Sequence, residues 1–178
     1  MKNNRGFSLL EVIVVVAVLA VLSGIAVMAV MNTGSWKVKK STELLNGSMA
    51  ETKVEAMSKV KASLTISVDA SGVWYIQRTG EEKEKLADKN MVISYTEEGS
   101  ATEHAIGAGS PLEFSFSRSS GAFTPIIDGE NADGSFQYRT KNIGGTSGMV
   151  YCRSIIIRCN NKSSETVLVK NTGKYYVK

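Results

Sequence analysis

The sequence has few of the residue types from which catalytic and metal sites are usually built. It contains one histidine, His104, and two cysteines, Cys152 and Cys159, in 178 residues. Zinc sites usually combine four Cys or His ligands, so a zinc site is not expected here. Phosphate-binding loops, nucleophile elbows and His-Glu-x-x-His sequences are also missing. We therefore expect neither enzyme activity nor a cofactor, and we expect His104, in a polar segment, to be a solvated side chain.

The spacing of the two cysteines argues against a disulfide between them. Cys159 follows Cys152 by seven positions, and on one straight strand this places the thiols on opposite faces, about 23 Å apart. A disulfide needs Cα atoms within about 7 Å. Unless the chain bends sharply between them, the two residues are expected not to bridge.

Charge is missing from a long N-terminal stretch, since no charged residue occurs from Val12 to Trp36. The apolar run 12–31 would span about 30 Å as a helix, which is the thickness of a bilayer core. Lys2 and Arg5 precede this run, so the N-terminus is expected in the cytoplasm and the larger domain outside. A secretory signal peptide usually has a shorter apolar core, of about 7–15 residues.

Glu11 stands at the edge of the apolar run, and a plain uncleaved anchor does not account for it. A charged side chain costs about 2.5–3.5 kcal/mol near the bilayer centre and less toward its surface. Ionisable groups in such segments are therefore usually functional. The alternative is that Glu11 merely lies at the interface and faces headgroup water.

The sequence Gly6-Phe7-Ser8-Leu9-Leu10-Glu11, followed by a long apolar helix, resembles the N-terminus of type IV prepilins and type II secretion pseudopilins. The resemblance implies that a prepilin peptidase cuts between Gly6 and Phe7 and methylates Phe7. It also implies that Glu11 pairs with the N-terminus of an adjacent subunit during assembly. Many members of the family carry a proline in the first helix, where this sequence has Met28.

The chain divides into four expected segments: a leader at 1–6, an anchor helix at 7–34, an amphipathic continuation of that helix at 35–62, and a β-rich domain at 63–178. An apolar stripe that includes Val38, Leu45, Met49, Ala56 and Met57 predicts that the continuation packs against the β domain. The alternative is that this stripe binds a partner helix.

The remainder alternates as strands do, with turns between the runs. The fold class is therefore α+β, with one long N-terminal helix on antiparallel sheets, as in pilins. Residues 79–90 are expected to be a charged loop. Strands are predicted at 64–68, 73–77, 91–95, 112–116, 123–127, 150–159, 165–170 and 175–177.

Within the pseudopilin family, the order of one helix and then strands is similar to the GspH/FimT group of minor components. This resemblance implies a minor structural subunit of a pilus or secretion pseudopilus. Its expected partners are the prepilin peptidase, other pilin subunits, the inner-membrane assembly platform and the membrane itself. The alternative is a DNA-uptake pseudopilin.

Two polar clusters are weaker candidates for binding sites. Asp128, Glu130 and Asp133 gather oxygen ligands of the kind that calcium prefers, although their spacing is not that of an EF-hand and a solvated loop is favoured. Arg153, Arg158 and Lys174 lie in a basic C-terminal region that contains tyrosines. Such a surface could contact a nucleic acid backbone, although an ordinary solvated sheet face is favoured.

Overall fold

The computed structural model describes residues 9–59, 61–143 and 146–178, with side chains excluded for 24–33 and 143. A single helix precedes every strand in this part of the chain. Helix α1 spans Leu9–Ser58. The strands are β1 Ser63–Val68, β2 Trp74–Arg78, β3 Glu84–Ala87, β4 Met91–Glu97, β5 Glu103–Ala105, β6 Leu112–Ser115, β7 Ile127–Glu130, β8 Phe136–Tyr138, β9 Thr140–Ile143, β10 Thr146–Met149, β11 Cys152–Cys159, β12 Lys162–Val169 and β13 Lys174–Val177.

The strands form two antiparallel sheets and a hairpin. The six-stranded sheet has the order β3-β2-β1-β6-β7-β8, and the five-stranded sheet has the order β13-β12-β11-β4-β5. Strands β9 and β10 pair only with each other. The expected α+β class, with a long helix on antiparallel sheets, is confirmed.

The second half of α1 packs against strands of both sheets. Its sequence is rich in Lys, Glu, Leu, Met and Ala, which are good helix formers, and it contains no proline. Buried positions recur every three or four residues, as one helix face requires. They are Val38, Ser41, Thr42, Leu45, Ser48, Met49, Thr52 and Ala56.

Three of the four polar members of this face form hydrogen bonds through their hydroxyl groups, either within the helix or to a strand. Thr42 and Thr52 donate to the carbonyl oxygens of Val38 and Ser48, at 2.8 and 2.7 Å. Ser41 donates to the carbonyl oxygen of Leu86 at 2.7 Å. Because a buried hydroxyl with a partner costs little, these residues fit an otherwise apolar interface.

Direct contacts join the two sheets and the helix. The Trp74 indole N–H on β2 donates to the carbonyl oxygen of Met91 on β4 at 2.9 Å. The Lys53 ammonium on α1 donates to the carbonyl oxygen of Gly173 at 3.0 Å. Phe114, Phe116 and Phe123 pack with ring centroids 4.6–6.4 Å apart. The domain is therefore held together across all three layers.

Several predictions of local structure are wrong in detail. Met57, which was expected on the buried stripe, is about half exposed. The helix ends at Ser58, short of the expected 62. The expected loop at 79–90 contains β3. The expected strand at 123–127 is absent, because Phe123 forms only an isolated bridge with Phe116 and Pro125 has no N–H to donate to a ladder.

The two thiols are free, as predicted, but not on opposite faces. Cys152 and Cys159 begin and end β11, and both are buried and unbonded to each other. The register of β11 against β4 shifts between Cys152 and Ser154. This bulge changes the alternation of side chains, so both cysteines lie in the core. Burial raises the pKa of the Cys152 thiol, which makes it unreactive.

Candidate assembly helix and flanking surfaces

The first half of α1 forms an apolar arm, which we define as residues 9–23. Every residue of the apolar arm is exposed. Its large hydrophobic side chains are each at least 51% exposed, and Leu9 reaches 81%. Contiguous apolar surface of this kind marks an interaction site. The apolar arm is therefore available for a contact outside this chain.

The predicted anchor, residues 7–34, extends beyond what the structure describes. Phe7 and Ser8 lie outside the described residues, as does the predicted cleavage residue Gly6. The side chains at 24–33 are also not described. Among the described residues, no helix combines the length and the apolar character that crossing a membrane requires.

Glu11 lies on the exposed surface of the apolar arm, in the first turn of α1. In the sequence, Glu11 follows Gly6 of the predicted cleavage site by five positions.

The three acidic residues that were weak candidates for a calcium site have separate partners. Asp128 accepts from Arg139 at 2.8 Å, and Glu130 forms an ion pair with Lys61. Asp133 accepts from the backbone N–H and hydroxyl of Ser135, at 2.9 and 2.6 Å, and these hydrogen bonds lower its pKa. No group of three metal-binding side chains converges within the described residues.

The three predicted basic residues are not equivalent. Arg158 forms a bidentate pair with Glu103, with both N–O distances at 2.6 Å. This pairing lowers the pKa of Glu103. Arg153 and Arg158 line the same groove of about 350 Å³, but Glu103 and Glu165 line it too. Lys174 lies on the edge strand β13, two strands away from β11.

His104 is not the solvated loop residue that its polar neighbours suggest. It lies in β5, where its ring stacks on Tyr95 with centroids 5.3 Å apart. Its Nε2 atom is 3.7 Å from the Glu97 carboxylate, which is itself buried. The lone histidine therefore belongs to the packing between β4 and β5.

A basic surface around Trp36 escaped the sequence analysis. Trp36 is 63% exposed, and the Lys40 ammonium lies 5.3 Å from its ring centroid. The Asp88 carboxylate contacts Lys37 at 3.3 Å and Lys85 at 2.6 Å, and hydrogen bonds from Lys85 and Lys37 lower its pKa. The signal was present in the sequence, because Trp36 and three lysines follow the apolar run directly.

The N-terminal segment of the chain resembles a known protein family. Residues 1–27 match the family model described as prokaryotic N-terminal methylation motif. No curated protein and no solved structure matches the chain. The matched segment contains Gly6, Phe7 and Glu11 and continues into the apolar arm. Residues 1–27 are therefore a prokaryotic N-terminal methylation motif of the kind that begins type IV pilin-like proteins.

Proposed function

We propose that this chain is a minor pilin or pseudopilin, a non-catalytic structural subunit of a type IV pilus or type II secretion pseudopilus. The prepilin peptidase removes residues 1–6 and methylates Phe7. Residues 7–34 then hold the mature chain in the inner membrane, with the β domain outside the cytoplasm, until the assembly platform adds the chain to a fibre.

One observation carries the proposal: the methylation motif includes an apolar arm that no described part of the chain buries. The motif covers residues 1–27, and all described residues from Leu9 to Ser23 are exposed. A soluble domain does not benefit from an unburied apolar helix, because exposed apolar surface is unfavourable in water. Lipid, followed by the helices of neighbouring subunits, provides the environment that the arm needs.

The assembly role of Glu11 follows from its place in the motif. It stands five residues into the mature chain, counting from Phe7. The new α-amino group of a neighbouring copy supplies a cation for this carboxylate. Loss of one partner in an apolar surrounding leaves an uncompensated charge, which is costly, so such a pair can fix the register between adjacent helices.

Intact-mass analysis tests the processing step. Protein purified from cells with an active prepilin peptidase should lack residues 1–6 and carry one added methyl group. The same protein from cells without the peptidase should keep its full N-terminus. An unprocessed Met1 in the peptidase-containing cells would contradict the proposal.

A further inference from the structure

One end of the folded domain surrounds α1 at the point where the apolar sequence stops. The backbone at Gly34 lies against Cys159, the last residue of β11, and Asn160, in the turn that follows. Lys37 reaches Asp88, which follows β3. We define the basal surface as the exposed or half-exposed side chains that cluster at this end. They are Trp36, Lys37, Lys39, Lys40, Lys85 and Lys162.

The basal surface carries an excess of positive charge. Among the described residues, two carboxylates form ion pairs with lysines of this surface, those of Asp88 and Glu43. Asp88 is shared between two lysines, and Glu43 is 3.9 Å from Lys39. Cationic groups therefore remain in excess on a surface that also exposes a tryptophan.

The distance along the helix places this surface at the level of lipid headgroups. Trp36 follows the last residue of the apolar run by five positions, which corresponds to about 7.5 Å of helix rise. The polar layer of a bilayer extends about 5–7 Å beyond each face of the hydrocarbon core. Tryptophan is enriched at this depth, where its ring is partly buried and its N–H stays wet.

The lysines of the basal surface are unusual at this end of a membrane helix. Lysine and arginine are normally depleted on the non-cytoplasmic flank of a membrane helix. Here Lys37, Lys39 and Lys40 follow the proposed anchor on that side. Long lysine side chains can keep their ammonium groups among phosphates while their methylene groups lie along apolar surface.

We propose that the basal surface binds anionic phospholipid headgroups before assembly, with Trp36 seated at the headgroup level and the lysines against lipid phosphates. This inference rests on the membrane anchor of the proposed function. The contact holds the β domain upright on the bilayer. It is electrostatic and therefore reversible, so the chain can leave the lipid when it enters a fibre.

Tryptophan fluorescence of the full chain in vesicles tests the contact. The chain has two tryptophans, and Trp74 is buried in the core. Vesicles are made of phosphatidylcholine, with or without phosphatidylglycerol, and contain lipids brominated near the headgroup. Bromolipid should quench most of the Trp36 emission in the anionic vesicles, and Trp36→Phe should remove the quenched component. Less quenching is expected without phosphatidylglycerol and at high salt.

Two matched double variants distinguish a local contact of the basal surface from an effect of the total charge of the chain. The double variant Lys39→Gln, Lys40→Gln should reduce bromolipid quenching and make Trp36 more accessible to aqueous acrylamide. The control Lys59→Gln, Lys83→Gln removes the same charge from the helix end and the β2–β3 turn, and each pair removes one i,i+4 ion pair. The control should behave like the parent chain.

Alkaline carbonate extraction distinguishes the two proposals. If the chain stays in the vesicles but bromolipid leaves its emission unchanged, the headgroup contact is wrong and the anchor stands. Equal quenching in both lipids, or in both double variants, also overturns the role of anionic lipid. If carbonate extracts the chain, the anchor fails and this inference fails with it.

Discussion

A single carboxylate on the apolar arm offers the sharpest test at the level of one residue. Glu11→Val should leave insertion and cleavage intact, because the anchor becomes more apolar by about 2.5–3.5 kcal/mol at most. Incorporation into fibres should fall, because the proposed charge pair with the neighbouring N-terminus is lost. Shear-released fibres and membranes from the same cells, compared by immunoblot, provide the measurement.

The control for this variant is Glu43→Val, the same substitution on the exposed surface of the same helix. It should enter fibres normally. Normal incorporation of the Glu11 variant would show that Glu11 is only interfacial and has no assembly role.

Two glycines meet where the β12–β13 turn touches the segment after β6, and one of them is tightly constrained. Gly173 has a φ of +59°, and a Cβ atom there would overlap the carbonyl oxygen of Gly121. Gly173→Ala therefore combines about 1–2 kcal/mol of left-handed backbone cost with a steric clash. The free energy of unfolding of the full chain in detergent should fall clearly.

Gly80→Ala is the matched control, because Gly80 has a φ of +81° and nothing within 4 Å of its Cβ position. It should show the backbone cost alone. Equal losses for the two variants in a urea titration would mean that a Cβ atom at position 173 causes no steric clash, which contradicts the close approach of Gly173 to Gly121.

At the level of elements, the packed half of α1 can be probed with two methionines. Met49 is fully buried, whereas Met57 is 49% exposed. Met49→Ala should lower the free energy of unfolding by about 2–5 kcal/mol, because it removes buried contacts and leaves a cavity. Met57→Ala should cost much less. Similar midpoints in thermal unfolding would contradict the assignment of the buried helix face.

The sequence predicts these elements unevenly, for physical reasons. Strands such as β1 and β6 alternate apolar and polar residues, and they appear nearly where the pattern indicates. Strands β3, β5, β9 and β10 are short and mostly polar, and β8 has only three residues, so their backbone pairing leaves little periodic signal in the sequence. The helix face was also predicted only in part, because buried Ser41 and Thr52 look solvent-facing in a pattern of apolar residues.

Candidate site residues are predictable where one short segment contains them, and are not predictable where the fold brings distant residues together. Gly6, Phe7 and Glu11 form a contiguous motif, so one short segment carries the whole signal. The pairing of Arg158 with Glu103 joins residues on β11 and β5, with β4 lying between them. Spacing along the sequence does not predict such a pair. The sequence therefore overestimates how many cations of the basic C-terminal region are available to bind a nucleic acid.

At the scale of the whole molecule, charge decides between a purely structural subunit and a DNA-uptake subunit. The formal charge of the chain is +4, and removal of Lys2 and Arg5 would lower it by two units. Within the described groove, Glu103 and Glu165 offset Arg153 and Arg158. A nucleic acid contact depends on cations that can displace counterions from phosphates. We therefore expect weak or no binding by this face.

DNA binding by the full chain in detergent, measured at a series of salt concentrations, tests this expectation. Binding to duplex DNA should be weak even at low salt, with a small slope of log affinity against log salt concentration. Glu103→Gln frees Arg158 without removing a cation, so any true contact through this face should strengthen in that variant. The slope should then steepen by about 0.9 for one added phosphate contact. Tight binding by the parent chain would contradict this expectation. If that binding falls when Arg153, Arg158 and Lys174 are replaced by alanine, but not when Lys59 and Lys83 are replaced, the result would favour DNA uptake over the purely structural role.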